Sequence, residues 1–171
     1  MRRKNLNVLL LMVLLLTVLS VSAKAPGVAP VKNAEYLEEC GGCHFPYQPG
    51  LLPGGSWEKL MAGLDDHFDE NAELDNDMAT RLTNFLVNNA ANDSTFKRSR
   101  KIMRSLGSKL PLRITQVPYF KDKHREIPER LIQDNDKVKS LANCDACHTT
   151  AQKGSYSEEA IDIPGYGRWD D

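Results

Sequence analysis

The 171-residue chain has room for one small domain or two very small ones. Its 22 Lys and Arg stand against 23 Asp and Glu, so it lacks the basic excess that a nucleic-acid partner demands. With only four Cys and four His in the whole chain, any pattern that uses them is informative.

The N-terminus reads as an export signal. Met1 to Lys4 is a charged start, Leu6 to Val21 is almost continuously apolar, and Val21-Ser-Ala23 is a small-residue cleavage box. Residues 1–23 are therefore expected to be a signal peptide cut after Ala23, the competing reading being an uncleaved anchor. Cleavage would remove three basic residues and no acids, leaving 19 basic against 23 acidic residues and a formal charge near −4.

Residues 24–33 are rich in Pro and Ala and read as a flexible lead-in; a short helical stretch, 34–39, follows. It delivers Cys40-Gly-Gly-Cys43-His44, and the same pattern returns late in the chain as Cys144-Asp-Ala-Cys147-His148. Both read C-x-x-C-H, the attachment signature of c-type haem. The spacing has a mechanical reason. Two thiols one turn apart each add across a haem vinyl group, and the histidine after the second thiol supplies an axial nitrogen to the iron. A zinc half-site, a thioredoxin-like pair or a disulfide would leave the two histidines unexplained. With four His in 171 residues, a given Cys is followed by His at random roughly one time in forty. Cys40, Cys43, Cys144 and Cys147 are thus the expected covalent haem attachments, with His44 and His148 as proximal ligands. Covalent attachment happens outside the energy-conserving membrane, so with the leader it points to a periplasmic location.

Phe45 to Gly55 carries three Pro and three Gly and reads as an irregular loop against a haem edge. Ser56 is placed to cap a helix on which Trp57, Leu60, Met61, Leu64, His67 and Phe68 form one stripe. An apolar-face His is usually a packed core residue, but an iron short of a sixth ligand makes His67 a candidate for it. A second helix starts at Asp75 or Asn76, with Met78, Leu82, Phe85 and Leu86 as its stripe. Ser94 caps a basic helix through Leu106, with Gly107 at its end and Phe96, Met103 and Leu106 facing inward. Residues 111–120 contain two prolines and read as extended, His124 follows in a polar stretch, and a helix is expected from about Pro128 to Asn143. The tail from Gly154 shows no strong period.

Charge is unevenly spread. From Glu35 to Asp77 there are eleven acids and one base, Lys59; from Lys97 to Arg113 there are seven bases and no acid. The plain reading of the basic run is a solvated face. The sharper ones are haem propionates or an acidic redox partner.

Two haems with one histidine each need two further ligands, and two histidines remain. His67 is paired with the first haem and His124 with the second, a crossed arrangement being the alternative. Met61, Met78 and Met103 are competitors, Met61 foremost because it shares the face of His67. Two such haems must form part of the core of so short a chain. The expected fold class is a mainly α, small haem-cored c-type cytochrome, with short helices and long irregular loops around two covalently attached haems. The expected division is 24–93 around the first haem and 94–171 around the second.

Residues beyond the motifs carry a family resemblance. The loop from Cys40 to Pro53, the stretch Trp57 to His67, Ser99 to Leu106, Pro111 to Thr115, Pro118-Tyr119, His124, Ile127, Leu141 to His148 and Ile161 to Pro164 resemble the dihaem cytochrome c family. The resemblance implies a periplasmic electron carrier with two haems, each held by two histidines among His44, His67, His124 and His148. It also implies a membrane cytochrome b of the b561 type, or a quinol-linked donor, on one side. On the other side it implies a small oxygen-binding monohaem cytochrome c. No enzymatic activity, small-molecule substrate or nucleic acid is expected, and the chain is expected to act as a monomer. Two other classes compete: a haem enzyme or gas binder with one open iron, and the dihaem subunit of a periplasmic reductase. The stretch 165–171 lies beyond the resemblance.

Overall fold

The computed structural model describes residues 25–169. The expected leader, 1–23, lies outside the described residues. Among those described, no helix is long and apolar enough to cross a membrane.

Helix α1, Ala34–Glu39, begins where the Asn33 carboxamide oxygen accepts the Tyr36 N–H at 2.9 Å, an N-cap bond. It ends at Cys40, so the first motif starts on the helix end. The Pro- and Gly-rich loop that follows is irregular, as expected, but it runs through the interior. Gln48 to Gly54 are all buried around a 3-10 turn, Pro49–Leu51. The Trp57 indole donates to Pro49 O at 2.8 Å and locks the loop onto the next helix.

Helix α2, Gly54–Met61, starts two residues before Ser56. Asn92 supplies the cap from a distance, accepting the Gly54 N–H at 2.7 Å, and Ser56 is buried inside the helix. The expected stripe to Phe68 is cut short at Met61. Gly63 is a poor helix residue, and the Asp66 carboxylate accepts the Asp69 N–H at 3.2 Å, favouring a turn. The chain then passes a 3-10 turn at Leu64–Asp66, and Phe68 and Asp69 take φ of 62° and 77°. His67 therefore sits on this turn and not on a helix face.

Helix α3, Asn76–Asn88, is capped by Asp75, whose carboxylate accepts the Met78 N–H at 2.9 Å, and it buries Leu82 and Leu86. Helix α4, Lys97–Leu106, follows Phe96; the Ser94 hydroxyl accepts the Phe96 N–H and braces the approach. Its buried side is Ser99, Ile102 and Leu106, with Phe96 and Met103 half-buried, and it ends at Gly107 with φ of 57°.

Two expectations fail beyond it. The segment 111–120 is not extended throughout: a 3-10 turn at Ile114–Gln116 leads into helix α5, Pro118–His124. Pro118 occupies the first helical turn, where its missing N–H costs nothing. Conversely, 128–143 is no helix beyond a 3-10 turn at Glu129–Leu131. Its polar side chains take backbone partners instead. Asn135 accepts the Lys137 N–H, Asn143 donates to Val138 O at 2.7 Å, and Lys139 takes φ of 62°.

Helix α6, Cys144–Cys147, carries the second motif. The tail closes in a two-stranded antiparallel ribbon, β1 Asp162–Ile163 with β2 Gly167–Arg168, burying Ile163. The main core joins Leu52, Trp57, Leu82 and Leu86 to Ile102, Leu106 and Val117, so one apolar cluster spans both halves of the chain.

Two opposed histidine pairs

At the first motif, the His44 ring nitrogen Nδ1 lies 2.8 Å from Phe45 O. Donation there turns Nε2 outward as the basic nitrogen. Facing it is His67, with ring centroids 6.3 Å apart and planes 17° from parallel. Its backbone N–H donates to Glu70 O at 2.7 Å, which fixes the turn that aims it. Tyr47 stacks on His44 at 5.1 Å, and Phe68 packs on His67 at 4.8 Å under the guanidinium of Arg113. Burial lowers the His67 pKa, followed by His44 and Arg113, so the neutral, lone-pair form is favoured.

The second pair is deeper. His148 follows α6 directly, with its N–H donating to Cys144 O at 2.8 Å and a bridge to Ile161. Burial, then His124 and Arg98, push its pKa down to about 4, again keeping the imidazole neutral. His124 ends α5; its Nδ1 lies 2.8 Å from Phe120 O, and the Phe120 ring stacks on it at 3.9 Å. The two rings stand 6.0 Å apart, at 77°.

These distances have a simple meaning. A metal held between two imidazoles sits about 2 Å from each nitrogen, and each nitrogen about 1 Å from its ring centre, so the rings stand about 6 Å apart. Both pairs have that separation. A cavity of about 720 Å³, within the range of cofactor pockets, is bordered by His124, His148, Cys144, Cys147 and apolar walls such as Ile102 and Val117. The thiols are all free, and burial pushes Cys40 up to about 11 and Cys144 up to about 12. A thioredoxin-like pair needs the opposite shift. No group of three or more His, Cys, Asp or Glu that could hold a metal ion gathers among the described residues. Attachment thiols beside opposed imidazoles do fit two covalently held haems.

The family model for dihaem cytochrome c matches residues 36–156. The chain belongs to the dihaem cytochrome c family. It is a c-type cytochrome with two covalently bound haem c groups. A diheme cytochrome c from Shewanella baltica OS155, known from its X-ray structure, is 40% identical; the match covers 81% of this chain and 98% of that one, with a TM-score of 0.67. A diheme cytochrome c from Rhodobacter sphaeroides is 39% identical over 75% of this chain and all of that one, also with a TM-score of 0.67. No curated protein matches. The mainly helical fold, short helices between long loops, agrees with these structures.

Sequence reasoning named the four histidines but not their supports. Met61 packs against the main core, while it is the ring of His67 that faces His44. Tyr47, Phe120, Tyr156 and Arg98 surround the sites through tertiary contacts that have no motif of their own in sequence.

Proposed function

We propose that this dihaem cytochrome c is an exported single-electron carrier in which each iron is held by two histidines. His44 and His67 hold the first, His148 and His124 the second, with Cys40 and Cys43, and Cys144 and Cys147, as the thioether attachments. The observation that carries the reading is the pair of opposed imidazoles at 6.3 and 6.0 Å. When bound, each haem supplies an iron that takes up and returns one electron. The protein's part would be to hold each iron by two imidazoles, which would leave no place for a substrate. Phe45 O and Phe120 O hold His44 and His124 in orientation.

The leader at 1–23 and the chemistry of haem attachment favour the periplasm. There the carrier would take electrons from a membrane cytochrome b of the b561 type, or another quinol-linked donor, and give them to a small oxygen-binding monohaem cytochrome c. It acts as a carrier and not as an enzyme.

Carbon monoxide tests the ligand reading. Added to the reduced protein, it should leave the Soret band unchanged. A stoichiometric adduct would mean an open iron and favour a haem enzyme or gas binder. His67→Ala and His124→Ala should each create one CO-binding site. Co-reduction with each proposed partner tests the route, and mass spectrometry of the exported protein tests cleavage after Ala23.

A further inference from the structure

The cavity at the second motif holds a charge that the ligand reading does not use. Arg98 lies on α4 and lines this cavity together with His148 and Tyr156. It is held firmly. Its backbone N–H donates to Gly27 O at 2.9 Å, and its guanidinium donates to Tyr156 O at 2.8 Å and to the Tyr119 hydroxyl at 3.3 Å. The same guanidinium lies over the Tyr119 and Tyr156 rings, 5.8 and 5.3 Å from their centroids. A Cβ on Gly27 would stand 3.0 Å from Nε, so the glycine is what lets the chain close over the arginine. Nε is buried without a protein partner, and no Asp or Glu pairs with Arg98 among the described residues.

A fixed, half-buried cation acts differently from a surface lysine. Solvent and salt screen exposed charges, whereas a buried one keeps most of its field. The acids nearest this site are exposed: Asp145, Asp162 and Glu158, the last already paired with Lys123. At the first site His44 is exposed and the neighbouring acids Asp65, Asp66, Asp69 and Glu70 are solvated. Arg113, over Phe68, is exposed too. Oxidised haem iron carries one more positive charge than reduced iron. A nearby fixed cation and low exposure both disfavour the oxidised state, and burial and local charge are recognised levers on haem potential.

We infer that Arg98 is a positioning charge that raises the reduction potential of the His148 site above that of the His44 site, so that electrons collect at the His148 end. One electron leaves the iron at the His44 site and is taken up by the iron at the His148 site, with no bond made or broken. The proposal deepens the carrier reading and rests on the ligand assignment it contains.

Spectroelectrochemical titration of the full haem-loaded protein tests it. In wild type two waves are expected. In Arg98→Gln, which removes the charge, the upper wave should move to lower potential while the lower stays. Arg98→Lys should leave the upper wave near its wild-type position. An upper wave that does not move in Arg98→Gln, or that moves as far in Arg98→Lys, would overturn the proposal. To locate the effect, Arg98→Gln is combined with His124→Ala or His67→Ala, which mark one site each by a high-spin band. The high-spin wave should shift only in the His124→Ala background; a shift only in the His67→Ala background overturns the proposal. If neither background shows a high-spin band, the ligand reading fails, and the upper wave of Arg98→Gln alone still decides the role of Arg98.

Discussion

His44 and His67 face each other with nearly parallel rings, 17° apart at 6.3 Å. His124 and His148 stand at the same kind of distance but nearly perpendicular, at 77°. The difference has a spectroscopic consequence. Parallel imidazoles pull the two iron π orbitals apart in energy, whereas crossed imidazoles leave them nearly equal. The oxidised protein should therefore give two distinct low-spin electron paramagnetic resonance signals, one rhombic and one with a very large highest g value. His67→Ala should remove the rhombic one. Two identical rhombic spectra would contradict the ring orientations.

Gln48 joins parts of the chain that are far apart in sequence. It is 1% exposed, donates from Nε2 to Ala151 O at 2.7 Å, and accepts the Tyr156 hydroxyl. Gln48→Leu would leave the Tyr156 hydroxyl buried without its partner, while the Ala151 carbonyl would keep only the Gly154 N–H at 2.8 Å. A buried group left without its partner costs about 1–3 kcal/mol. Chemical denaturation of the haem-loaded protein should show a loss of about 1–3 kcal/mol. Because Tyr156 also packs on His148 at 5.2 Å, the absorption of the second haem should change with it. A midpoint within error of wild type would show that the contact carries no stability.

Gly154 closes the N-terminal lead-in onto the second site. Its carbonyl accepts the N–H groups of Gly27 and Val28 at 2.8 and 3.1 Å. Its φ is 72°, and a Cβ there would come within 2.3 Å of Val28 O. Left-handed backbone costs a non-glycine residue about 1–2 kcal/mol before any clash with a rigid carbonyl. Gly154→Ala should lower Tm by about 4 °C or more. A Tm unchanged from wild type would refute both the strain and the clash.

The exposed cations of α4 bear on association, not folding. Lys97, Arg100 and Arg104 are exposed, and none forms an ion pair among the described residues. Lys97 and Arg100 also border the cavity at the second motif. The triple change to Glu should leave thermal stability within about 1 kcal/mol, since unpaired surface charges contribute little. Stopped-flow reduction of an acidic acceptor cytochrome should slow about tenfold or more at low salt, and the difference should fade as salt rises. Equal rates at low salt would show that the basic run is only a solvated face.

The residues that do chemistry were legible because their spacing is imposed locally. Covalent attachment needs two thiols and a histidine within five residues, so Cys40 to His44 and Cys144 to His148 declare themselves without any fold. Counting the remaining histidines then singled out His67 and His124. The helix starts near Ala34 and Asp75 were legible as well, and Asn33 and Asp75 sit within three residues of the N–H they accept; the caps expected at Ser56 and Ser94 are not made, the helices there starting after Pro53 and Phe96.

What failed was extent. The stripe through His67 continues the helical period, yet Gly63 and the Asp66 turn end the helix, and no periodicity registers that competition. The segment 128–143 has enough apolar residues for a helix, but Asn135 and Asn143 satisfy the backbone in other ways. Pro118 looked like a strand breaker and proved to be a helix start.

By itself the sequence determined the attachment points, the set of histidines available to the irons, and helix starts such as the one at Asp75, all set by patterns a few residues long. Only the tertiary structure decided which histidine faces which, at what angle, and where Arg98 places its charge. Those follow from packing between residues 23 to 58 positions apart, such as His44 with His67 and Arg98 with Tyr156, whose geometry depends on every loop between them.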